Sequence, residues 1–165
     1  MKTELSEIAG LFDYPRPDYH DRVLECRGEH AGADVEAFAA AIAPLSVREL
    51  EELYTRTFDL NPDACLDIGW HLFGEDYARG EFLVHLRQEA RRYGVPETTE
   101  LPDHLTRVLP LIARMPEDQA TEFGTKFLLP ALAKIAMTIG DGGNPYSQLI
   151  AGLQRMLATK ASVEA

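Results

Sequence analysis

Two pairings of a carboxylate with an imidazole carry whatever proton chemistry this sequence could support. Asp103 stands beside His104 in "ELPDHLTRVLPLI" (residues 100–112), and Asp67 precedes His71 by four. Such a pair can relay a proton, because histidine titrates near neutrality and a carboxylate can orient it. A third pairing, Glu81 with His85, repeats the four-residue spacing, which places both side chains on one helix face. Metal sites in helical bundles use paired Glu-x-x-His motifs on facing helices. None of these pairs has that form. The segment "DLNPDACLDIGW" (residues 59–70) imitates a calcium loop at Asp59, Asn61 and Asp63, but Ala64 stands where the loop needs Gly and Trp70 where it needs a bidentate Glu. There is no G-x-S-x-G, and "GDGGNP" (residues 140–145) lacks the Lys-Ser/Thr that grips phosphate. Cys26 and Cys65 are the two cysteines and form no C-x-x-C. Acid–base pairs without a nucleophile, cofactor loop or closed ligand set predict a protein that is not an enzyme and holds no metal or organic cofactor of its own.

That leaves "PDH" to be explained. Pro102 at a first helical position and Asp103 in the first turn would satisfy a helix start and its dipole. His104, if protonated there, would sit at the wrong end of that dipole. Helix formation thus accounts for two of the three residues, and the third invites a binding role.

The elements that must position these residues read almost entirely as helix. Leu5, Ile8, Leu11 and Phe12 form one apolar stripe that ends before Pro15. A short helix is expected over residues 17–27, then a loop at "GEHAGAD" (residues 28–34), with Asp34 capping a helix that carries Val35, Phe38 and Ile42. Ser46-Val47-Arg48-Glu49 is a capping box with Leu45 and Leu50 as its hydrophobic staple. Its helix carries Tyr54 and Phe58 and stops before Pro62. Further helices are expected over residues 63–73, through Phe82 to Tyr93 with Gly94 as the stop, and from Pro102 with Leu105, Val108, Leu109 and Ile112 inward. Pro130 should kink or divide a segment running over residues 116–139. Asn144 and Pro145 begin the last helix. No β-alternation of useful length occurs. The expected fold is all-α, a single-domain bundle of about eight or nine helices over residues 1–165, frayed at 1–4 and 160–165.

At 165 residues a self-sufficient core is feasible, and 45% hydrophobic content supports a globular chain. The formal net charge of −11 argues against nucleic acid and anionic membrane surfaces and favours basic partners. "MKTELSEIAG" has no apolar core of a secretory signal, and no window has the ~18 consecutive apolar residues of a membrane helix. Together with the sparse cysteines, this predicts a cytoplasmic protein.

Several segments, in order, resemble one family. "LFDYP" (residues 11–15) is similar to its N-terminal helix end, "YTRTFDLNP" (54–62) to its Tyr-x-x-x-Phe-Asp segment, and "WHLFG" (70–74) to the aromatic-His-Leu-aromatic-Gly that follows, with Trp70 where the family pattern has Tyr. "ELPDHL" (100–105) resembles its Glu-Leu-Pro-Asp-His/Tyr-Leu signature, and "NPY" with Leu149 and Ile150 its last helix. The family is that of the NarJ-type nitrate reductase assembly chaperones, relatives of the TorD type. The resemblance implies an all-helical, system-specific chaperone. It would bind the N-terminal leader segment of an apo molybdoenzyme catalytic subunit and assist molybdenum cofactor insertion before membrane docking or export. It implies a peptide groove involving Tyr54, Phe58, Asp59, His71, Glu100, Pro102, Asp103 and His104. A stable accessory subunit of a redox complex is the alternative, and monomer and dimer both remain open. If Asp103 and His104 form a recognition surface, replacing either by Ala should cost at most ~0.5–2 kcal/mol, the range for a lost cap.

Overall fold

Local grammar explains most of the helix boundaries. The computed structural model describes residues 2–30 and 32–163. Ser46 and Glu49 form the expected capping box at the start of α4 (Val47–Tyr54), after α1 (Lys2–Leu11), α2 (Tyr19–His30) and α3 (Ala33–Ile42). α5 (Ile68–Phe73) ends at Gly74, and α6 (Tyr77–Arg92) is followed by Gly94; both glycines have positive φ (58° and 66°), a conformation that L side chains resist. α7 (Leu105–Arg114) and α8 (Glu117–Phe123) follow. Pro130 is the second residue of α9 (Leu129–Ile139). The Asn144 side chain accepts from the Tyr146 amide to start α10 (Tyr146–Val163).

Two π turns interrupt this regularity. One, Thr55–Asp59, continues α4, and the Leu60 amide donates to the Thr55 carbonyl across it. The other, Gly124–Leu128, joins α8 to α9 with helical backbone at both junctions. Residues 117–139 are therefore one rod, and the ten α segments among the described residues make nine helices. The fold is all-α.

Several boundaries differ from those expected. Residues 28–30 belong to α2 and not to a loop, residue 31 lies outside the described residues, and Gly32 rather than Asp34 occupies the cap position of α3. Asp34 instead pairs with Arg155 on α10. The helix expected over 63–73 is broken: Pro62–Ala64 is a 3-10 turn, Cys65–Asp67 is extended, and α5 starts only at Ile68. Of the ends expected to fray, 2–4 and 160–163 are helical, while 1, 164 and 165 lie outside the described residues.

The buried side chains form one cluster in which α1 packs along α7, and α10 packs on α3 and α9. Leu105, Val108 and Leu109 are fully buried and Ile112 nearly so, which makes α7 the central helix and confirms its expected stripe. Its Pro110 sits in the helix interior without ending it.

Candidate functional site

The helix of the opening motif does not begin at Pro102. Residues 101–104 form a turn closed by the His104 amide donating to the Leu101 carbonyl at 3.0 Å, with Pro102 at the second position that its fixed φ favours. α7 starts at Leu105, and His104 is its N-cap: Nδ1 accepts from the Thr106 amide at 3.3 Å and lies 2.7 Å from the Thr106 hydroxyl. The residue that the helix start left unexplained is the cap itself.

Asp103 caps a different helix. Its carbonyl accepts the Ile68 amide at 3.0 Å and its Oδ2 the Gly69 amide at 3.1 Å, satisfying the first two N–H groups of α5. The Leu105 amide in turn donates to the Leu66 carbonyl, so residues 66–68 and 103–105 meet as an antiparallel bridge between Asp67 and His104. From α6, Arg79 Nε donates to Asp103 Oδ2 at 3.1 Å, and its Nη2 reaches Asp67 at 3.7 Å. Asp103 is fully buried; burial pushes its carboxyl up from the usual range, against the pull of Arg79. Gly69 is required at this junction, because a Cβ there would lie 2.4 Å from Asp103 Oδ2. The carboxylate thus pins the N-terminus of α5 and the side of α6 to the start of α7.

In front of this junction lies a cavity of about 310 Å³ lined by Tyr14, Tyr54, Phe58, Asp59, Cys65, Leu66, Asp67, Glu100 and His104. Its aromatic wall is built by the α4 continuation. Tyr54 donates to the Phe12 carbonyl at 3.0 Å, which ties α4 to the exit of α1, and packs edge-on against Tyr14, Phe58 and Tyr146. The π turn sets the direction of Phe58 and Asp59, and Asn144 donates to Thr57 in that turn at 2.8 Å. Such turns are frequent at functional sites. Part of the lining is acidic, from Asp59, Asp67 and Glu100. Burial and then the nearby Glu100 push the Asp59 carboxyl up, while His104 acts the other way. His104 Nε2 lies 3.8 Å from Glu100 Oε2. Leu60 and Leu101, the residues after Asp59 and Glu100, are exposed apolar side chains, as is Tyr14.

Of the eight site residues expected, Tyr54, Phe58, Asp59, Glu100 and His104 line this cavity together. Pro102 and Asp103 are buried behind it. His71 is also buried: its Nε2 lies 2.7 Å from the Cys65 carbonyl and 3.8 Å from the Cys65 sulfur, and Lys134 donates to the His71 carbonyl. Burial holds its imidazole below the ordinary value. Tyr14, Cys65, Leu66 and Asp67 were not expected at the site. Tyr14 had a signal, being an aromatic next to the proline that ends the first helix, whereas Cys65 and Leu66 arrive only through the break before α5. Among the described residues no group of three or more His, Cys, Asp or Glu could hold a metal ion, and the Glu81–His85 pair is exposed on α6. No described helix is long and apolar enough to cross a membrane. The arrangement offers aromatic faces, carboxylates and the Cys65 thiol to a ligand, with burial pushing that thiol up from its ordinary value.

Comparison with known proteins identifies a family and relatives. Residues 26–149 match the family described as nitrate reductase delta subunit. The chain is 27% identical over 123 residues to the nitrate reductase molybdenum cofactor assembly chaperone NarJ of Escherichia coli strain K12, covering 74% of this chain and 52% of that protein. It is 25% identical over 153 residues to the probable nitrate reductase molybdenum cofactor assembly chaperone NarJ of Bacillus subtilis strain 168, covering 88% of this chain and 83% of that one. The chain therefore spans about half the length of the E. coli relatives it matches. With most of its length matched, from α2 into α10, the chain belongs to the nitrate reductase delta subunit family.

Proposed function

We propose that this chain is a cytoplasmic maturation chaperone. It binds the N-terminal segment of an apo molybdoenzyme catalytic subunit and keeps that subunit competent for molybdenum cofactor insertion before docking or export. The observation that carries the reading is the cavity, which Tyr14, Tyr54 and Phe58 line together with Asp59, Asp67 and Glu100. An amphipathic or extended leader with basic residues is matched by an apolar groove rimmed with carboxylates. The exposed Tyr14, Leu60 and Leu101 extend the apolar surface at its edge. Binding alone performs this task, since a chaperone of this kind needs no reactive group.

The test is a pull-down from cells making the apo catalytic subunit of a nitrate reductase, with and without its N-terminal segment. Capture of the full subunit and not of the truncated one is expected; equal capture would refute leader binding. The family's description as a delta subunit favours a second reading, a stable accessory subunit of the redox complex. Fixed-ratio copurification with the mature enzyme would support that reading, and absence from it the chaperone.

A further inference from the structure

The geometry points to Arg107 as a positioning residue for the acidic wall of the cavity. It acts by fixing the loop that carries Glu100 rather than by touching the ligand. This inference rests on the peptide-binding reading above.

Arg107 is a charged side chain on α7 with only 4% of its surface exposed, set among Leu105, Val108 and Leu109 in the core helix. Burying a guanidinium is costly unless it is paired, and here the pairing is partial, since Nε and Nη2 make no hydrogen bond. Its Nη1 donates to the Glu100 carbonyl at 3.1 Å, and its Nη2 lies 3.4 Å from Glu97 Oε2. Both partners sit on the segment between α6 and α7, which has no helical hydrogen bonds of its own. On that segment the Glu100 amide donates to the Thr98 hydroxyl at 3.2 Å. Arg107 thus holds the segment at the Glu100 main chain and at Glu97, three residues apart, from a rigid helix. With the Glu100 carbonyl held on one side, its carboxylate is delivered to the other, 3.8 Å from His104 Nε2 and into the cavity wall. Arg107 does not line the cavity. A fixed carboxylate recognises a cation better than a mobile one, because the ordering cost is met before binding.

The experiment measures affinity for a fluorescent peptide copying the N-terminal segment of a nitrate reductase catalytic subunit, alongside the melting temperature of each protein. Wild type, Glu100→Gln, Arg107→Met, Arg107→Lys, Glu97→Gln and the Arg107→Met/Glu100→Gln double variant are compared. Glu100→Gln and Arg107→Met should each weaken binding by about tenfold, the value of one charged contact. The double variant should be no weaker than either single one, and Arg107→Lys, which can still donate to the carbonyl, should recover most of the loss. Additive losses would overturn the inference, because Arg107 would then act independently of Glu100, as would an Arg107→Met protein that binds like wild type. Should Arg107→Met fail to fold, the exposed Glu97→Gln decides. A partial loss that disappears in the Glu100→Gln background supports the positioning role, and unchanged affinity removes it. A wild-type chain that does not bind the peptide at all refutes the peptide-binding reading itself, a result distinct from each of these.

Discussion

Replacing Asp103 by Ala should destabilise the fold far more than the loss of a helix cap does. The carboxylate is fully buried and accepts from the Gly69 amide and Arg79 Nε, both at 3.1 Å, with Arg79 Nη2 a further 3.5 Å from Oδ1. Deleting one member of a buried charged pair strands the other and costs ~3–5 kcal/mol. Arg79 is not wholly stranded here. Its side chain is 20% exposed and Asp67 lies 3.7 Å away, so the loss falls at the low end, about 3 kcal/mol. In a chain of this length each kcal/mol moves the melting temperature by ~2–4 °C, giving a drop of ~6–12 °C. Asp103→Asn keeps the shape but loses the charge and turns an N–H2 group toward one donor, so it should fall between Ala and wild type. Gly69→Ala supplies an internal control. Its Cβ would meet Asp103 Oδ2 at 2.4 Å and Phe82 at 3.1 Å, so it should be costly in wild type and less costly in the Asp103→Ala background, a non-additive pair. Thermal and urea melts of wild type and the four variants decide the matter. An Asp103→Ala protein that melts within ~2 °C of wild type would refute the account, because no buried capped pair could then be present. The result also decides how failed maturation by such a variant is interpreted: lost client activity would follow from a displaced α5 and α6 before any lost recognition.

Four further outcomes are expected. His104→Ala should cost only ~0.5–2 kcal/mol, since it removes the α7 cap and leaves water access at the cavity mouth, and paired melts of the two neighbours would show the contrast. Leu109→Ala, at a fully buried position of the same helix, should cost ~2–5 kcal/mol in urea unfolding through transfer and cavity terms. Burial holds His71 below the ordinary imidazole value. In the window below about pH 6.5 the unfolded chain therefore binds a proton that the folded chain refuses. That share of stability is present above the window and lost as pH falls through it. Melting temperature should decline more steeply on acidification for wild type than for His71→Gln, and equal slopes would contradict the assignment. Peptide binding should weaken with salt once the Debye length shrinks toward ~10 Å near 0.1 M, while an apolar share persists; calorimetry giving one affinity at low and high salt would exclude the acidic wall from binding.

The apolar stripes and caps were legible because both are local. Val108 and Leu109 face inward for the same reason that Ser46 meets Glu49: each depends on residues within four positions, where helical geometry alone fixes the neighbours. The same locality made the motif "PDH" misleading. Pro102 and Asp103 have the residue types of a helix start, but Pro102 serves a turn, and Asp103 serves α5 from 34 residues away. A cap supplied across the fold leaves no spacing to read, and neither does an arginine on an apolar stripe whose partners belong to a loop before it. The cavity was half legible on these terms. Tyr54, Phe58, Asp59, Glu100 and His104 were found as residue types in familiar order, but what brings them together is non-local: the π turn that redirects Phe58 and Asp59, the Asp67–His104 bridge and the Arg107 grip on Glu100. Each of these departs from regular helix geometry, and each borders the cavity. Sequence periodicity describes the regular part of this chain, so the irregular part, where it fails, is where the candidate site was assembled.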